Sequence, residues 1–348
     1  MLAVRLHAKG DLRVETVAPP PPPGPGEVSL AVTAAGICGS DLHNFLTGAW
    51  ITRAPSIAGH EFTGIVSAIG PDVTHVRPGV RVIVDSRYTC GRCPACAEGL
   101  AQVCETLGFL GEAIDGGFAE AVTLPARNVL PAPPGVADRH LAMAEPLAVA
   151  LHALDRLGAS EGAEIVVAGC GPIGAFLTLL ARERGHPVLI FDRNGARAAH
   201  VARETGAGVT DLGALSGRRF RHCADTTGNA QVIAGLLERI AGAGRMALVG
   251  IGAPAGIVDP VHLVEREIAL IGCHAYGDEL ERIGRMLPDL APRLDAFIAD
   301  TIPLDEVPER YERLIAGRVA GIKTIVRGTS SRERVTRVAG ASRTEDPG

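Results

Sequence analysis

The sequence predicts an α/β protein in which a β-rich first part is followed by a doubly wound parallel sheet. Three observations support this fold class. Short apolar runs bounded by Gly or Pro occupy residues 1–146, strands alternate with helices from about residue 147, and a glycine-rich turn follows the first of these later strands. A chain of 348 residues also exceeds what one core usually holds, so about two domains are expected.

Composition argues against several classes of function. Hydrophobic residues make up 47% of the chain and charged residues 21%, which argues against disorder, and the formal net charge of −5 disfavours nucleic acid as a partner. The start, MLAVRLHAKGDLRVE, lacks the continuous apolar segment of a signal peptide, and no later run approaches a membrane span. We therefore expect a cytoplasmic protein that binds neither a membrane nor nucleic acid.

The β-rich first part is predicted to contain strands over residues 28–32, 64–69 and 80–84. The proline run at 19–23 cannot donate hydrogen bonds to a strand ladder. We expect it to be an extended connector between two strands; a ligand for a proline-reading module is the alternative.

The later part is predicted to form parallel βαβ units. Residues 165–168 and 188–191 are expected to be buried strands on either side of a helix over 172–185. Further along, the apolar residues at 232, 233, 236, 237 and 240 recur at helical spacing, and strands are predicted at 246–249 and 268–271. A helix over 278–287 and a strand over 324–326 return to a mixed pattern that would complete the first domain.

A glycine-rich turn predicts a dinucleotide site. Gly169, Gly171 and Gly174 spell GCGPIG, with Pro172 and Ile173 between them, after a predicted strand and at the start of a helix. The glycines permit a tight turn, a close approach to the pyrophosphate and close packing of the helix on the strand, while the helix N-terminus supplies amide donors. An ordinary glycine turn is the alternative.

The carboxylate of Asp192 argues for a dinucleotide and predicts which one binds. Asp192 ends the next strand, near the spacing at which an acidic residue binds the adenosine ribose hydroxyls. This charge should repel a 2'-phosphate, so we expect NAD rather than NADP. Arg193 and Arg197 lie close by; we expect both to be solvated at a helix start, with Arg193 included among the cofactor-binding candidates.

Four cysteines predict a structural zinc site. Cys90, Cys93, Cys96 and Cys104 form a CxxCxxCx7C cluster in a loop without a helix or strand pattern of its own. Four thiolates close a tetrahedral shell around zinc. Disulfides and an iron–sulfur cluster are the alternatives, but the cytosol opposes the first and the ferredoxin-like spacing of the second is absent.

A second polar group surrounds Cys38. The segment CGSDLH places Ser40, Asp41 and His43 beside this thiol on a predicted short turn, and the triplet GHE follows at residues 59–61. A buried thiol, a core histidine and a solvated carboxylate are the alternatives for these groups taken singly. A Cys, His and carboxylate set gathered from distant segments suits a reactive metal ion.

These motifs resemble those of the zinc-containing medium-chain dehydrogenases, the superfamily that includes sorbitol and threonine dehydrogenases, over residues 1 to about 328. The resemblance implies a GroES-like catalytic domain over 1–147 and 275–328 and a Rossmann NAD-binding domain over 148–274. It also implies two zinc ions per chain, one catalytic and one structural, and a homodimer or homotetramer. Residues 329–348 are expected to be a disordered tail.

The resemblance also implies zinc ligands. Cys38 and His60 would bind the catalytic zinc, and Glu145 stands where ethanol-type enzymes carry a third ligand, a cysteine. This departure points to the polyol branch, in which Glu61 can ligate zinc and Glu145 ligates it or holds its water. Both assignments stay open at this point.

The resemblance assigns a proton relay to the segment after Cys38. Ser40 would bridge the zinc-bound hydroxyl to the cofactor ribose, and His43 would pass the proton to solvent, a role that suits an imidazole. Asp41 would orient His60. Ser40, His43 and Glu145 are therefore the predicted catalytic residues.

Further residues of the resemblance would line the cofactor and the substrate. Thr227, Val249 and Ile251 match strand ends that line the nicotinamide, with ordinary strand-end turns as the alternative. Phe45 and Trp50 would form a substrate wall, with core aromatics as the alternative. Sorbitol-type enzymes often carry an Arg-Tyr pair after the last cofactor-domain strand, where this chain has the residues HAY at 274–276.

The predicted function is a zinc-dependent oxidoreductase that transfers hydride from a secondary alcohol to NAD and gives the ketone. A small polyol, cyclitol, diol or hydroxy amino acid would be the substrate. A zinc-free quinone or enoyl reductase shares the fold but lacks the metal ligands. A non-catalytic zinc- and dinucleotide-binding protein would not need Ser40 and His43, and a zinc-ribbon nucleic-acid binder would have no use for GCGPIG.

Overall fold

The computed structural model describes residues 1–252 and 258–328, so the tail predicted for 329–348 lies outside the described residues. The elements of the first part, in chain order, are β1 (Leu2–Ala8), β2 (Asp11–Thr16), β3 (Glu27–Gly36), α1 (Gly39–Thr47), β4 (Ser56–Ile57), β5 (Glu61–Ile69), β6 (Arg81–Val84), β7 (Arg87–Tyr88), α2 (Pro94–Ala97), β8 (Gly108–Phe109), β9 (Ala121–Pro125) and β10 (Val129–Pro131). The proline run joins β2 to β3, as the sequence predicts.

The remaining elements alternate between helices and strands. In chain order they are α3 (Asp138–Leu141), α4 (Ala144–Leu157), β11 (Ile165–Ala168), α5 (Pro172–Glu183), β12 (Val188–Phe191), α6 (Gly195–Thr205), β13 (Gly208–Val209), β14 (Phe220–Asp225), α7 (Ala230–Leu237), β15 (Ile240–Leu248), α8 (Pro260–Arg266), β16 (Ala269–Gly272), α9 (Glu279–Leu294), β17 (Ile298–Ile302), α10 (Val307–Ile315) and β18 (Lys323–Arg327).

The sheet of the first part brings distant segments to the end of β3. Its strand order is β10-β6-β5-β3-β18-β17, with β9 also paired to β3. β3 and β5 run antiparallel, so Gly36 at the end of β3 lies opposite Glu61 at the start of β5. β18, from the far end of the chain, pairs with β3 on its other side and places Ile325 opposite Gly36. Residues that follow β3 and precede β5 therefore meet.

The second sheet is parallel, with the strand order β13-β12-β11-β14-β15-β16. Its central strands β11 and β12 match the predicted ranges residue for residue, because a strand buried on both faces is a continuous apolar run. The chain reverses its direction of winding between β11 and β14, and the glycine-rich turn follows β11. Ligands of open α/β sheets bind at such a switch point, outside the carboxyl ends of the strands.

Four local predictions are corrected by the structure. The short turn expected after Cys38 is the nine-residue helix α1, and the cysteine loop contains the helical turn α2 and a 3-10 turn at Ala101–Val103. Ile240 begins β15, where it pairs with Phe220, and does not continue the helical spacing of α7. The helix predicted over 278–287 continues to Leu294 through Pro288, because its later leucines pack in the core.

The largest buried cluster lies between the two sheets and fixes helix α4. Leucines of α4 and α9 pack there with residues of β6 and β18 from one sheet and of β11 and β12 from the other. α4 is buried along most of its length and carries Glu145 in its first turn. None of the helices within residues 1–252 and 258–328 combines the length and apolar character needed to cross a bilayer.

Candidate active site and metal centres

The end of β3 and the start of β5 assemble the first candidate metal site. The Cys38 thiol, a ring nitrogen of His60 and a carboxylate oxygen of Glu61 lie within 4.8 Å of one another. Their proximity follows from the pairing of Gly36 with Glu61, which places the residues next to each strand end side by side. A side chain at Gly36 would collide with the Glu61 carboxylate, so the observed position of that carboxylate depends on glycine here.

Asp41 fixes the orientation of His60. One oxygen of Asp41 lies 3.1 Å from His60 Nδ1, and the other accepts the Cys38 backbone N–H at 2.9 Å. Burial alone would lower the pKa of His60, but the negative charges of Asp41 and Cys38 outweigh burial and raise this pKa well above its usual value. The site therefore has a negative electrostatic potential. Its sulfur, nitrogen and oxygen donors suit a divalent transition metal such as zinc.

Lys323 on β18 is a charged residue of this site that the sequence reasoning missed. Its side chain is fully buried, forms an ion pair with Glu61 Oε2 and donates from Nζ to the carbonyl oxygen of Ile37 at 2.9 Å. Glu61 Oε1 has no hydrogen-bond partner within the described parts of the chain. An unpartnered buried carboxylate oxygen beside a thiol and an imidazole fits a metal ligand. The sequence signal that could have indicated this residue is a lone lysine in the apolar run GIKTIV.

Glu145 lies outside the group of three but acts on it electrostatically. Its Oε1 accepts a hydrogen bond from Ser86 Oγ at 2.9 Å, and both side chains are buried. Burial and the negative charge of Glu61, opposed in part by the charge of His60, raise the pKa of Glu145 to about 7. Of the two glutamates, Glu61 lies closer to Cys38 and His60. Glu145 lies near enough for the charges of His60 and Glu61 to shift its pKa.

Ser40 and His43 lie on α1 beside the three candidate ligands. Ser40 Oγ is 3.1 Å from Cys38 Sγ and 3.4 Å from His60 Nε2. The His43 ring is half-buried and stacks at a tilt against Trp50, with 4.9 Å between ring centroids. Phe45 packs edge-on against Tyr311 and is partly buried against the core of the first part.

The four-cysteine cluster has the geometry of a tetrahedral zinc site. The Sγ atom of Cys104 is 3.5 Å from that of Cys90 and 3.9 Å from that of Cys93, and all four sulfur atoms lie within 4.8 Å of one another. Sulfur atoms about 2.3 Å from a tetrahedral zinc ion lie about 3.8 Å apart. All eight cysteines, each in the described part of the chain, are free thiols, which removes the disulfide alternative.

Backbone amides favour the thiolate form of two cysteines of the cluster. Cys90 Sγ accepts the N–H of Cys93 at 3.3 Å, and Cys104 Sγ accepts that of Cys90 at the same distance. The Cys90 amide contributes most to lowering the pKa of Cys104 to about 6, and the amides of Arg92 and Cys93 lower the pKa of Cys90. Burial and the neighbouring thiols instead raise the pKa of Cys96 to about 12. Thiolates are the form that binds metal, so the amides favour zinc binding at Cys90 and Cys104.

The glycine-rich turn has the shape of a dinucleotide cradle. Gly169 has a φ of 93°, and a side chain at Gly174 would collide with the carbonyl oxygen of Gly169. Gly171 is the N-cap of α5, and Pro172 occupies the first turn, followed by Ile173. The free amides at this helix start suit a pyrophosphate.

Asp192 is held from three sides at the end of β12. It accepts the N–H groups of Cys170 and Asn194, each at 2.7 Å, and two guanidinium nitrogens of Arg197 at 2.8 and 3.1 Å. Burial opposes ionisation of Asp192, but these partners outweigh burial and lower its pKa. Arg197, which was expected to be solvated, is half-buried and paired, because α6 turns this side chain back onto Asp192. Arg193 is exposed.

Asp225 ends β14, the strand that pairs with β11. Its hydrogen bonds hold the strand ends on the same edge of the sheet as the glycine-rich turn. Its buried carboxylate accepts Thr227 Oγ1 at 2.6 Å, and its carbonyl oxygen accepts the N–H of Val249 at 2.9 Å. Ile251, further along, is 57% exposed. Thr227, Val249 and Ile251 thus lie at the carboxyl ends of β14 and β15, on the same edge of the sheet as the glycine turn.

Comparison with known proteins identifies the family. The alcohol dehydrogenase GroES-like domain family matches residues 24–134. The (R,R)-butanediol dehydrogenase of Neisseria gonorrhoeae is 30% identical over 94% of this chain and 99% of that protein. Two solved structures superpose with a TM-score of 0.86 over 94% of this chain. One is an alcohol dehydrogenase (rspB) of Escherichia coli CFT073 complexed with NADH, 27% identical over 99% of its chain. The other is a putative zinc-binding dehydrogenase of Sinorhizobium meliloti 1021 bound to NADP, 29% identical over 98% of its chain.

The fold, the two candidate metal centres and the dinucleotide cradle define an oxidoreductase whose sites suit zinc and a nicotinamide dinucleotide. The chain belongs to the zinc-containing medium-chain dehydrogenase family and is an alcohol dehydrogenase. The predicted family, the GroES-like and Rossmann fold and the enzyme class are confirmed.

Proposed function

We propose that this enzyme oxidises a small polyol, cyclitol, diol or hydroxy amino acid at a secondary alcohol and reduces NAD. The observation that supports this proposal most strongly is the meeting of Cys38, His60 and Glu61 in a chain that also carries a dinucleotide cradle. These three residues would hold the catalytic zinc, with Glu145 next to them. When bound, zinc supplies a Lewis acid that lowers the pKa of an alcohol, and NAD accepts the hydride.

The residues around this site would manage the proton that the alcohol loses. Ser40 Oγ, fixed between Cys38 and His60, is placed to accept a proton from the substrate hydroxyl and to pass one on. His43, on the same helix and half-buried, would take the proton towards solvent. Asp41 keeps His60 Nδ1 occupied, so that Nε2 faces the site.

Replacing His43 by alanine is expected to lower kcat by about tenfold, because the relay loses its outer base. The loss should be largest at low pH, where hydroxide is scarce, and added imidazole should restore part of the turnover. Steady-state rates measured between acidic and alkaline pH, with and without imidazole, check this. Equal activity of the variant and the wild type at every pH would remove His43 from the relay.

The cofactor preference is proposed to depend on Asp192. Its carboxylate is ionised at the end of β12, where a 2'-phosphate would meet negative charge, while Arg197 is engaged with that carboxylate. We therefore expect kcat/KM for NAD to exceed that for NADP by at least about tenfold.

Two arginine variants separate the contributions to this preference. Arg197→Ala removes the cation that partly neutralises Asp192, so it should strengthen the preference for NAD. Arg193→Ala serves as the neighbouring control, since Arg193 is exposed and should change the NAD to NADP ratio less. A wild-type enzyme that prefers NADP would overturn the assignment.

The substrate proposal follows from the composition of the site and from the relatives. Trp50 over His43 offers an apolar wall next to polar groups, and a diol is the substrate named for the Neisseria relative. NAD reduction with 2,3-butanediol, threonine, sorbitol, L-idonate and aminocyclitols tests the class. Activity only with primary alcohols would contradict it.

We also propose a homodimer or homotetramer. β16 lies at the edge of the parallel sheet within the described residues, and the adjacent helix α8 exposes Val261 and Val264, at 60% and 76%. An open strand edge next to apolar side chains favours pairing with a second copy. Sedimentation of the purified enzyme as a monomer would contradict this. The cytoplasmic location stays a prediction.

A further inference from the structure

Tyr276 connects the cofactor side of the molecule to the catalytic site. It lies between β16 and α9, and its side chain is completely buried. The start of this segment is attached to the end of β15, because the N–H of Cys273 donates to the carbonyl oxygen of Leu248 at 2.9 Å. The preceding residue, Ala275, has a φ of 49°, which a residue with a side chain adopts only when its surroundings enforce it.

The hydroxyl of Tyr276 both donates and accepts a hydrogen bond. It donates to Asp85 Oδ1 at 3.1 Å and accepts the backbone N–H of Ser86 at 3.0 Å. Arg87 fixes the rest of the residue, since its guanidinium lies 4.5 Å from the centroid of the Tyr276 ring and donates to the Tyr276 carbonyl oxygen. The same guanidinium donates to both carboxylate oxygens of Asp85. This two-point ion pair stabilises the positions of Arg87, Asp85 and Tyr276.

Ser86 links Tyr276 to Glu145 through hydrogen bonds. Ser86 Oγ lies 3.1 Å from the Tyr276 hydroxyl and donates to Glu145 Oε1 at 2.9 Å. Because the Tyr276 oxygen already accepts an amide and gives its own proton to Asp85, the one proton of the Ser86 hydroxyl serves Glu145. Oε1 is thereby held, and Oε2 is the oxygen left for the site.

We propose that Tyr276 is a positioning residue for Glu145 and acts through Ser86. By accepting the backbone N–H of Ser86 it fixes Ser86, and through the Ser86 hydroxyl the rotamer of the Glu145 carboxylate, from a segment more than a hundred residues away in sequence. The inference rests on the proposed function, in which Glu145 lies beside the catalytic zinc.

Tyr276→Phe tests this role, because phenylalanine keeps the buried ring and the contact with Arg87 and removes only the hydroxyl. We expect kcat to fall by about tenfold, as is typical when a residue behind a metal site is lost, with KM for NAD changed by less than about twofold. Ser86→Ala should give the same pattern. In a Glu145→Gln background, Tyr276→Phe should change kcat by less than about twofold, since its target is already altered.

A spectroscopic readout separates positioning from a structural role. In enzyme with cobalt in the catalytic site, Tyr276→Phe should shift the visible absorption band in the direction that Glu145→Gln shifts it. Thr205→Val is the matched control, because it also removes a buried hydroxyl, one that donates to the carbonyl oxygen of Val201 within α6. That variant should keep the wild-type band and kcat.

Two results would overturn the inference: a cobalt band for Tyr276→Phe that equals the wild-type band, or losses of kcat for Tyr276→Phe and Glu145→Gln that multiply in full. Failure of the proposed function is distinguishable, since it would appear as a wild-type enzyme inert towards every secondary alcohol. The cobalt band would still decide the role of Tyr276 in that case.

Discussion

Cys38→Ala is expected to lower kcat/KM by at least about a thousandfold and to remove one of two zinc ions per chain. The thiol is one of three donor groups that meet at the ends of β3 and β5, and the remaining imidazole and carboxylate would bind zinc weakly. A Lewis acid contributes several kcal/mol to such a reaction, and each 1.4 kcal/mol is about a factor of ten in rate. Metal analysis and NADH formation measure both effects.

The control for this variant is Cys223→Ala, which removes a fully buried thiol of β14 away from both candidate metal centres. It should retain two zinc ions and most of the activity. The Cys38 variant should also unfold at nearly the wild-type temperature, because Glu61 keeps its ion pair with Lys323. A Cys38 variant that keeps full zinc and full turnover would contradict the assignment of the catalytic centre.

Cys93→Ser is expected to remove the other zinc ion and to destabilise the protein strongly. The loop around Cys93 contains only the short helical turn α2 and one 3-10 turn, so few apolar contacts hold it. Structural zinc in small peptides binds with about 10 kcal/mol, and loss of about half of this would lower the Tm by roughly 10 °C in a chain of this size.

Calorimetry, metal analysis and limited proteolysis of the cysteine loop measure these changes, again with Cys223→Ala as the control. The catalytic zinc should stay bound to Cys93→Ser enzyme at low temperature, because the two candidate sites share no ligand. Retention of both zinc ions with an unchanged Tm would show that the four thiols do not form a structural site.

Features that depend on neighbours in sequence were predictable. The strand at Ile165–Ala168, the glycine turn after it and the cysteine cluster each need only local spacing, and the structure shows all three. The approach of Cys38 to His60 was suggested by their donor types and by the resemblance, and no local spacing required it. In physical terms it follows from the antiparallel register that sets Gly36 opposite Glu61.

Features that depend on tertiary pairing were not predictable. Nothing near Lys323 in sequence indicates that β18 brings it to Glu61, and nothing near Tyr276 indicates its bond to Ser86. Arg197 was expected in solvent because helix-start arginines usually are exposed, and only the path of α6 shows its contact with Asp192. Each of these contacts depends on tertiary structure, because the fold brings together segments that are distant in sequence or reverses the direction of a side chain.

The most direct test of the account is a zinc titration of metal-depleted enzyme during NAD-dependent oxidation of the secondary alcohols named above. The account predicts that turnover with at least one of them appears as the site of Cys38, His60 and Glu61 fills and stops rising at two zinc ions per chain. Enzyme that binds two zinc ions and NAD yet reduces no NAD with any of these alcohols, or that turns over equally well without metal, would contradict it.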